Sequence, residues 1–287
     1  MTPLVMCQVD KAITRRVYVG ACPLDCVSQT ELVGELIGAI EAVCKQLVSG
    51  VNALMYVRAS EDPKYCALLE NMTVVTCDGF WLTLAARFFG HRGVKHIAIV
   101  PLVFELLQEL SVRKKRVFLL GAKPELVTKA GQTVSHRFPG VEVVGTRDGY
   151  FTDAEESAVV AEINAAKADV VLVGISTPRR EQWMTRNREV VRAPVVIGVG
   201  GLLDILAGAT REGPAWLRKI GFMWLFRLLM EPRRMLVRYL VGNVRFAYLL
   251  AKEYARMATA SEKARPSLRG VSSLPGPRDT AKPWTRR

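Results

Sequence analysis

Val74-Val75-Thr76-Cys77-Asp78-Gly79-Phe80-Trp81 decides how the chain is read. An apolar, β-branched run stops at an Asp-Gly pair. A second apolar run with helical spacing opens directly after it, from Phe80 to Phe89. That is a strand, a tight turn and a helix. In an open α/β sheet, ligands sit outside the carboxyl ends of the strands, so Asp78 stands where a catalytic carboxylate can work. Asp-Gly is also ordinary turn chemistry, and Asp an ordinary helix cap. On this stretch alone both readings of Asp78 stay open.

Working outward, the same alternation recurs. Residues 17–20 read as a short strand and 29–48 as a helix, with Leu32, Leu36, Ile40, Val43 and Leu47 at helical spacing. An apolar run at 51–57 contains Asn52, and Glu61-Asp62-Pro63 starts a helix. A helix is expected over 97–112, a strand at 116–121 and a helix to about 137. Then come a strand at 141–145, a helix at 153–168, a strand at 169–175, a helix from Thr177-Pro178 to about 192, a strand at 194–200 and a short helix bearing Asp204. The strands are apolar along their whole length, as expected where both faces are covered. The fold class predicted is α/β: a mostly parallel sheet flanked by helices, Rossmann-like, with a basic, amphipathic helical C-terminal appendage.

The charge divides the chain. Of the net +13, residues 211–287 carry +12, from 17 Lys or Arg and 5 Asp or Glu, while 1–210 carry +1. Such asymmetry points to an anionic membrane surface, nucleic acid or phosphorylated ligands. Residues 214–230 are dense in Trp, Phe and Leu and are broken by Glu231-Pro232; a second helix is expected over about 233–257. Aromatic and basic residues mixed on two apolar helices favour a membrane interface over two core helices with a solvated basic face. The predicted domains are a catalytic body at 1–210, a membrane-associating helical appendage at 211–257 and a disordered tail at 258–287, rich in Pro, Ser, Gly and Arg.

Six cysteines, at 7, 22, 26, 44, 66 and 77, include one close pair, Cys22 and Cys26, with no second pair to complete a zinc site. They read as reduced thiols of a cytosolic protein. The N-terminus, interrupted by Asp10, Lys11, Arg15 and Arg16, does not read as a signal peptide, and no run reaches the roughly 18 apolar residues of a membrane span. His91, His96 and His136 receive no role, no Ser-His-Asp set is present, and no metal ligands are assigned.

Polar or Gly-rich turns mark four places: Asn52, Asp78-Gly79, Gly121 to Glu125, and Gly198 to Asp204. None matches the dinucleotide or P-loop pattern; each is either a phosphate approach to a helix start or a tight turn with close packing. At Thr177-Pro178-Arg179-Arg180-Glu181-Gln182-Trp183 an N-cap with an exposed charged face competes with an anion-binding helix start.

Taken in order, these stretches resemble one family. They are Cys77-Asp78-Gly79, the turn at 121–124, Gly145-Thr146-x-Asp148-Gly149-Tyr150-Phe151, Pro178-Arg179-x-Glu181-x-Trp183, Ile197-Gly198-Val199-Gly200-Gly201-x-x-Asp204, Trp224-Leu225-Phe226-Arg227-Leu228, Glu231-Pro232-Arg233-Arg234 and Arg238-Tyr239-Leu240-x-Gly242-Asn243. The order resembles the WecG/TagA/CpsF family of bacterial glycosyltransferases, glycosyltransferase family 26, over about residues 15–250.

The resemblance implies an inverting transfer from a UDP-sugar to a polyprenyl-diphosphate-linked saccharide, in cell-surface or exopolysaccharide synthesis. It places the enzyme in the cytoplasm, peripherally on the inner face of the membrane. It implies Asp78 as general base, Asn52 near the donor or acceptor pocket, and Arg234, Arg238 and Arg227 on the diphosphate, where an always-charged planar donor suits phosphate oxygens. Gly121, Lys123, Arg180, Glu181, Gly200, Gly201 and Asp204 are the remaining expected substrate contacts. Gly50 replaces a common Thr of the family and Arg180 a common Gln, which leaves glucose and N-acetylmannosamine both open as the donor sugar. No cofactor is implied, a divalent metal requirement is open, a homo-oligomer is one mode of the family, and no nucleic acid is expected. The competing readings are a non-catalytic nucleotide-binding module with a basic tail for membrane or nucleic acid, and a peripheral scaffold.

Overall fold

The computed structural model describes residues 15–210 and a helix over 232–263, with side chains described in that helix from 242 to 259. Six strands form one parallel sheet: β3 (Gln46–Val51), β4 (Val74–Cys77), β5 (Arg116–Gly121), β6 (Glu142–Arg147), β7 (Val170–Gly174) and β8 (Val195–Gly198). Their order across the sheet is β4-β3-β8-β7-β5-β6. Every residue of β3, β4 and β8 is buried, as the continuous apolar runs predict for strands covered on both faces.

A separate antiparallel hairpin, β1 (Arg15–Val19) with β2 (Cys22–Cys26), packs beside β4. It controls the open edge of that strand. Buried Asp25 accepts the Val75 backbone N–H at 2.7 Å and holds Arg16 through two bonds of 2.8 and 3.0 Å. Arg16 in turn donates to the carbonyls of Met72 and Thr73. An edge amide that could recruit another chain is thereby occupied.

The helices divide between the two faces. On one lie α1 (Gln29–Glu41), α5 (Ile99–Val112), α6 (Pro124–Arg137) and α9 (Leu202–Leu206). On the other lie α2 (Ala53–Glu61), α3 (Pro63–Glu70), α4 (Phe80–Phe88), α7 (Glu156–Ala165) and α8 (Arg179–Arg186). The chain therefore leaves β3 and β8, adjacent in the sheet, toward opposite faces. That divergence opens a crevice at their carboxyl ends, the place where open α/β sheets take ligands.

The final described helix, α10 (Pro232–Lys263), packs on α2. Gly242 lies against Leu54 near the start of α2, Phe246 sets its ring edge-on to Tyr56 at 5.2 Å, and Arg245 pairs with Glu61 at the end of α2. α10 thus descends α2 from the carboxyl edge of the sheet. Residues before 242 extend the helix back past that edge. No described helix is long and apolar enough to cross a membrane.

Four readings change. The helix expected over 29–48 is α1 followed by β3, because Val43 turns the chain at φ 54° after the α1 C-cap. The run at 51–57 is accordingly the end of β3 and the start of α2. β2, with Pro23 inside it, was not expected as a strand. α10 continues to Lys263, past the expected end at 257. The segment 214–230, Arg227 and residues 264–287 lie outside the described residues.

Candidate active site

Asp78 follows the last residue of β4, and Asn52 follows the last residue of β3. Val51 and Cys77 are register partners, so Asp78 and Asn52 emerge side by side. The backbone fixes this: the Asp78 N–H donates to the Val51 carbonyl at 2.9 Å. Asn52 caps α2, its side-chain oxygen accepting from Leu54 N at 3.1 Å and Met55 N at 3.2 Å. With the oxygen so used, its amide N–H groups are the part that can address a ligand. Gly50 permits the crowding, whereas a Cβ at Gly79 would make only ordinary contact. A Cβ on Gly50 would come within 2.5 Å of Ile99 and 3.0 Å of the Asp78 Cβ. One on Gly79 would lie 3.4 Å from the Asn52 Cα. Any side chain at position 50 would have to displace Ile99.

Beneath the crevice lies a buried ion pair. Arg180 is 5% exposed and Glu181 0%, and the guanidinium contacts Glu181 Oε1 through both Nε and Nη2. Ser49, inside β3, donates to the same carboxylate oxygen at 3.2 Å and accepts from Arg180 at 3.3 Å. Arg180 lies so close to β8 that a Cβ on Gly198 would stand 2.7 Å from its Nε. The pair therefore ties α8 to β3 and β8 on both sides of the crevice. This corrects the reading of residues 177–183 as an N-cap with an exposed charged face: Arg180 and Glu181 are interior, and the cap position is Pro178 rather than Thr177. Arg179 is also engaged, donating to the carbonyls of Gly149 and Phe151 with its guanidinium over the Phe151 ring. Among the Glu181 neighbours, the Tyr65 hydroxyl is held protonated by burial first and by the Glu181 charge second.

Burial raises the Cys77 thiol to about 12, so it is inert packing beside Asp78 rather than a nucleophile. Among the described residues no three His, Cys, Asp or Glu side chains gather as a metal site.

The remaining candidates separate. Gly200, in the left-handed region at φ 53°, follows β8 close to Arg180, and Gly201 and Asp204 open α9 next to it. Gly121 ends β5 and the exposed Lys123 follows it, three strands from β3, roughly 14 Å at the usual spacing. Gly121, at φ 130°, packs backbone to backbone on Gly174, where a Cβ would come within 2.5 Å. The Gly149 N–H bonds the Ala122 carbonyl at 3.1 Å, so the loops after β5 and β6 form a second ledge on the same edge. Arg234 and Arg238 lie on α10, two turns and one turn before Gly242, about 12 and 6 Å along the axis beyond the carboxyl edge; their side chains lie outside the description. Sequence reasoning missed Ser49 and the α2–α10 contact. Ser49 is a polar residue inside an otherwise apolar strand, and that was the available signal.

Over 188 residues the chain is 29% identical to the N-acetylglucosaminyldiphosphoundecaprenol N-acetyl-beta-D-mannosaminyltransferase of Bacillus subtilis, covering 66% of this chain and 73% of that one. It is 31% identical over 176 residues to the protein of the same description from Bacillus spizizenii, covering 61% of this chain and 68% of that one. The family model described as glycosyl transferase WecG/TagA/CpsF matches residues 17–260, from the first hairpin through α10. The chain belongs to the WecG/TagA/CpsF family of glycosyltransferases.

Proposed function

We propose that this glycosyltransferase moves a hexosyl unit from a UDP-sugar to a polyprenyl-diphosphate-linked saccharide, with inversion, at the cytoplasmic face of the membrane, in cell-surface polysaccharide synthesis. The observation that supports it most is the placing of Asp78 beside Asn52 at the carboxyl ends of β4 and β3. In the reaction the acceptor hydroxyl oxygen forms the new bond to the anomeric carbon. The bond from that carbon to the diphosphate oxygen breaks, and UDP leaves. Asp78 takes the hydroxyl proton as the oxygen attacks, a role worth about 10² to 10⁴ in rate. Asn52 orients the acceptor or donor sugar. The departing diphosphate gathers negative charge, and α10 carries Arg234 and Arg238 past the edge on which Asp78 lies. The ledge of Gly121 and Lys123 suits the far end of an extended nucleotide sugar.

The names of the relatives favour N-acetylmannosamine as the sugar transferred and an N-acetylglucosaminyl-diphosphate lipid as the acceptor; glucose is the competing donor. The basic C-terminal quarter supports an anionic membrane surface as the working site. The test is a panel of UDP-sugars with a prenyl-diphosphate-sugar acceptor, product read by mass spectrometry, for the wild type and Asp78→Asn. The expected result is product from one donor, a loss of about 10² or more in kcat for the variant and unchanged UDP binding. Wild-type turnover by Asp78→Asn removes the base assignment, and no product from any donor favours the non-catalytic reading.

A further inference from the structure

α4 and α10 both rest on α2, and between them runs a groove of about 760 Å³. Its walls are two facing stripes at helical spacing. Trp81, Leu84 and Phe88 form one, and Ala247, Leu250 and Tyr254 form the other. In a soluble core such stripes close on each other. Here Leu84 is 50% exposed and Phe88 68%, so the apolar walls are open to the outside. The far end is closed by the Phe88 and Tyr254 rings, 5.5 Å apart. The near end, at Trp81 and Asn243, lies at the carboxyl edge of the sheet, because α4 begins at Phe80, two residues after Asp78.

A concave, carbon-lined channel of this size selects hydrocarbon. Its mouth selects which hydrocarbon. In the acceptor of the proposed reaction the sugar is joined to the lipid only through a diphosphate. When the reacting hydroxyl is at Asp78, the lipid chain therefore begins within a few bonds of the site, where the groove opens. From Trp81 to Phe88 the groove runs along two turns of α4, about 10 Å, enough for the first isoprene units and not for the whole chain. We infer that the α4–α10 groove seats the diphosphate-proximal isoprenes of the acceptor's polyprenyl chain. The seat would make the enzyme select a lipid-linked acceptor over the same saccharide on a short carrier, and would register the sugar against Asp78.

The inference rests on the proposed function, and the experiment separates the two. Transfer is measured on two acceptors with the same saccharide diphosphate, one on a polyprenyl chain in detergent and one on a methyl group. The variants are Leu84→Glu, on the exposed wall, and Leu84→Met as the conservative control. Leu84→Glu is expected to raise KM at least tenfold for the polyprenyl acceptor, leaving its kcat and both constants for the methyl acceptor as in the wild type, and Leu84→Met is expected to behave as wild type. Equal losses on both acceptors, as expected if residues 214–230 of the chain or the fold itself depend on the wall, overturn the seat. So does an unchanged KM. Lost co-sedimentation of Leu84→Glu with anionic vesicles free of polyprenol, without the split in KM, makes the face a membrane contact and overturns it too. A wild type that uses neither acceptor overturns the proposed function and the seat with it, whereas use of both at equal KM overturns the seat alone.

Discussion

Gly242 in α10 faces Leu54 in α2 so closely that a Cβ would stand 2.1 Å from the Leu54 Cδ2. Leu54 is two residues from Asn52 and donates its N–H to the Asn52 side chain. The helix that carries the C-terminal arginines and the residue that flanks Asp78 therefore meet through one leucine. Gly242→Ala gains up to about 1 kcal/mol of helix propensity, and a Leu54 methyl can turn aside, so stability should change little. Gly242→Leu has no such outlet. It should cost about 1–3 kcal/mol as overpacking and lower kcat/KM more than it lowers the melting temperature would suggest, since it displaces α10 before it unfolds the sheet. Thermal melts and kinetics on the two variants check this.

The buried pair Arg180–Glu181 has no water to fall back on. Glu181→Ala should destabilise the protein by about 3–5 kcal/mol, because it leaves a buried guanidinium without its counter-charge. Arg180→Gln retains donors for Glu181 and Ser49 and should cost less than Arg180→Met. Urea denaturation of the three variants gives the ranking; Arg180→Met as stable as Arg180→Gln would show that the donors do not matter.

Asp25 holds the β4 edge through Val75 and Arg16. Asp25→Ala should cost about 2–4 kcal/mol, since it orphans a buried backbone N–H and one side of an ion pair. Asp25→Asn, whose amide oxygen can still accept from Val75, should cost less. The midpoint of urea unfolding reads the difference.

Lys45 gives a pH dependence with a definite sign. Burial lowers its ammonium from 10.5 to about 8. Between those values the unfolded chain binds more protons than the folded one, so this lysine makes stability rise with pH from about 8 to 10.5, and its contribution is flat below. The buried thiols act oppositely: Cys77, raised by burial to about 12, loses stability for the fold as pH passes its ordinary value. The readout is therefore the difference between wild type and Lys45→Met. Wild type minus variant should climb across that window, by at most about 3 kcal/mol; a flat difference contradicts the shift.

The sheet was legible because a strand covered on both faces must be apolar, and β7, β8 and β5 after Arg116 are. The α1–β3 boundary was not. A helix end is usually marked by Gly in the left-handed position, and here Val43 takes it. Leu47 then continues the helical spacing by chance although it belongs to β3. At the site, the place of Asp78 at a strand end was legible because its turn is local. The Ser49–Arg180–Glu181 cluster was not, since its partners are 131 and 132 residues apart and meet only once the sheet order is known. The interior place of Arg180 runs against its charge, and only Gly198, which leaves room for it, hints at that.

That sheet order has a consequence for how the chain can be shortened. β8 is the last of the described strands to be made, yet it is inserted between β3 and β7, pairing Gln46 with Val195 and Val170 with the same Val195. A chain ending before Pro194 loses no margin of the sheet. It loses the seam, and is left as two unjoined pieces: β4 with β3, holding Asp78 and Asn52, and β7 with β5 and β6, holding Gly121. Joining them requires contacts across some 150 residues, so the entropy of closing that loop must be met before the pairing stabilises the sheet. The two ledges cannot be joined into one edge until β8 has been synthesised, 149 residues (195 − 46) after the β3 residue it pairs.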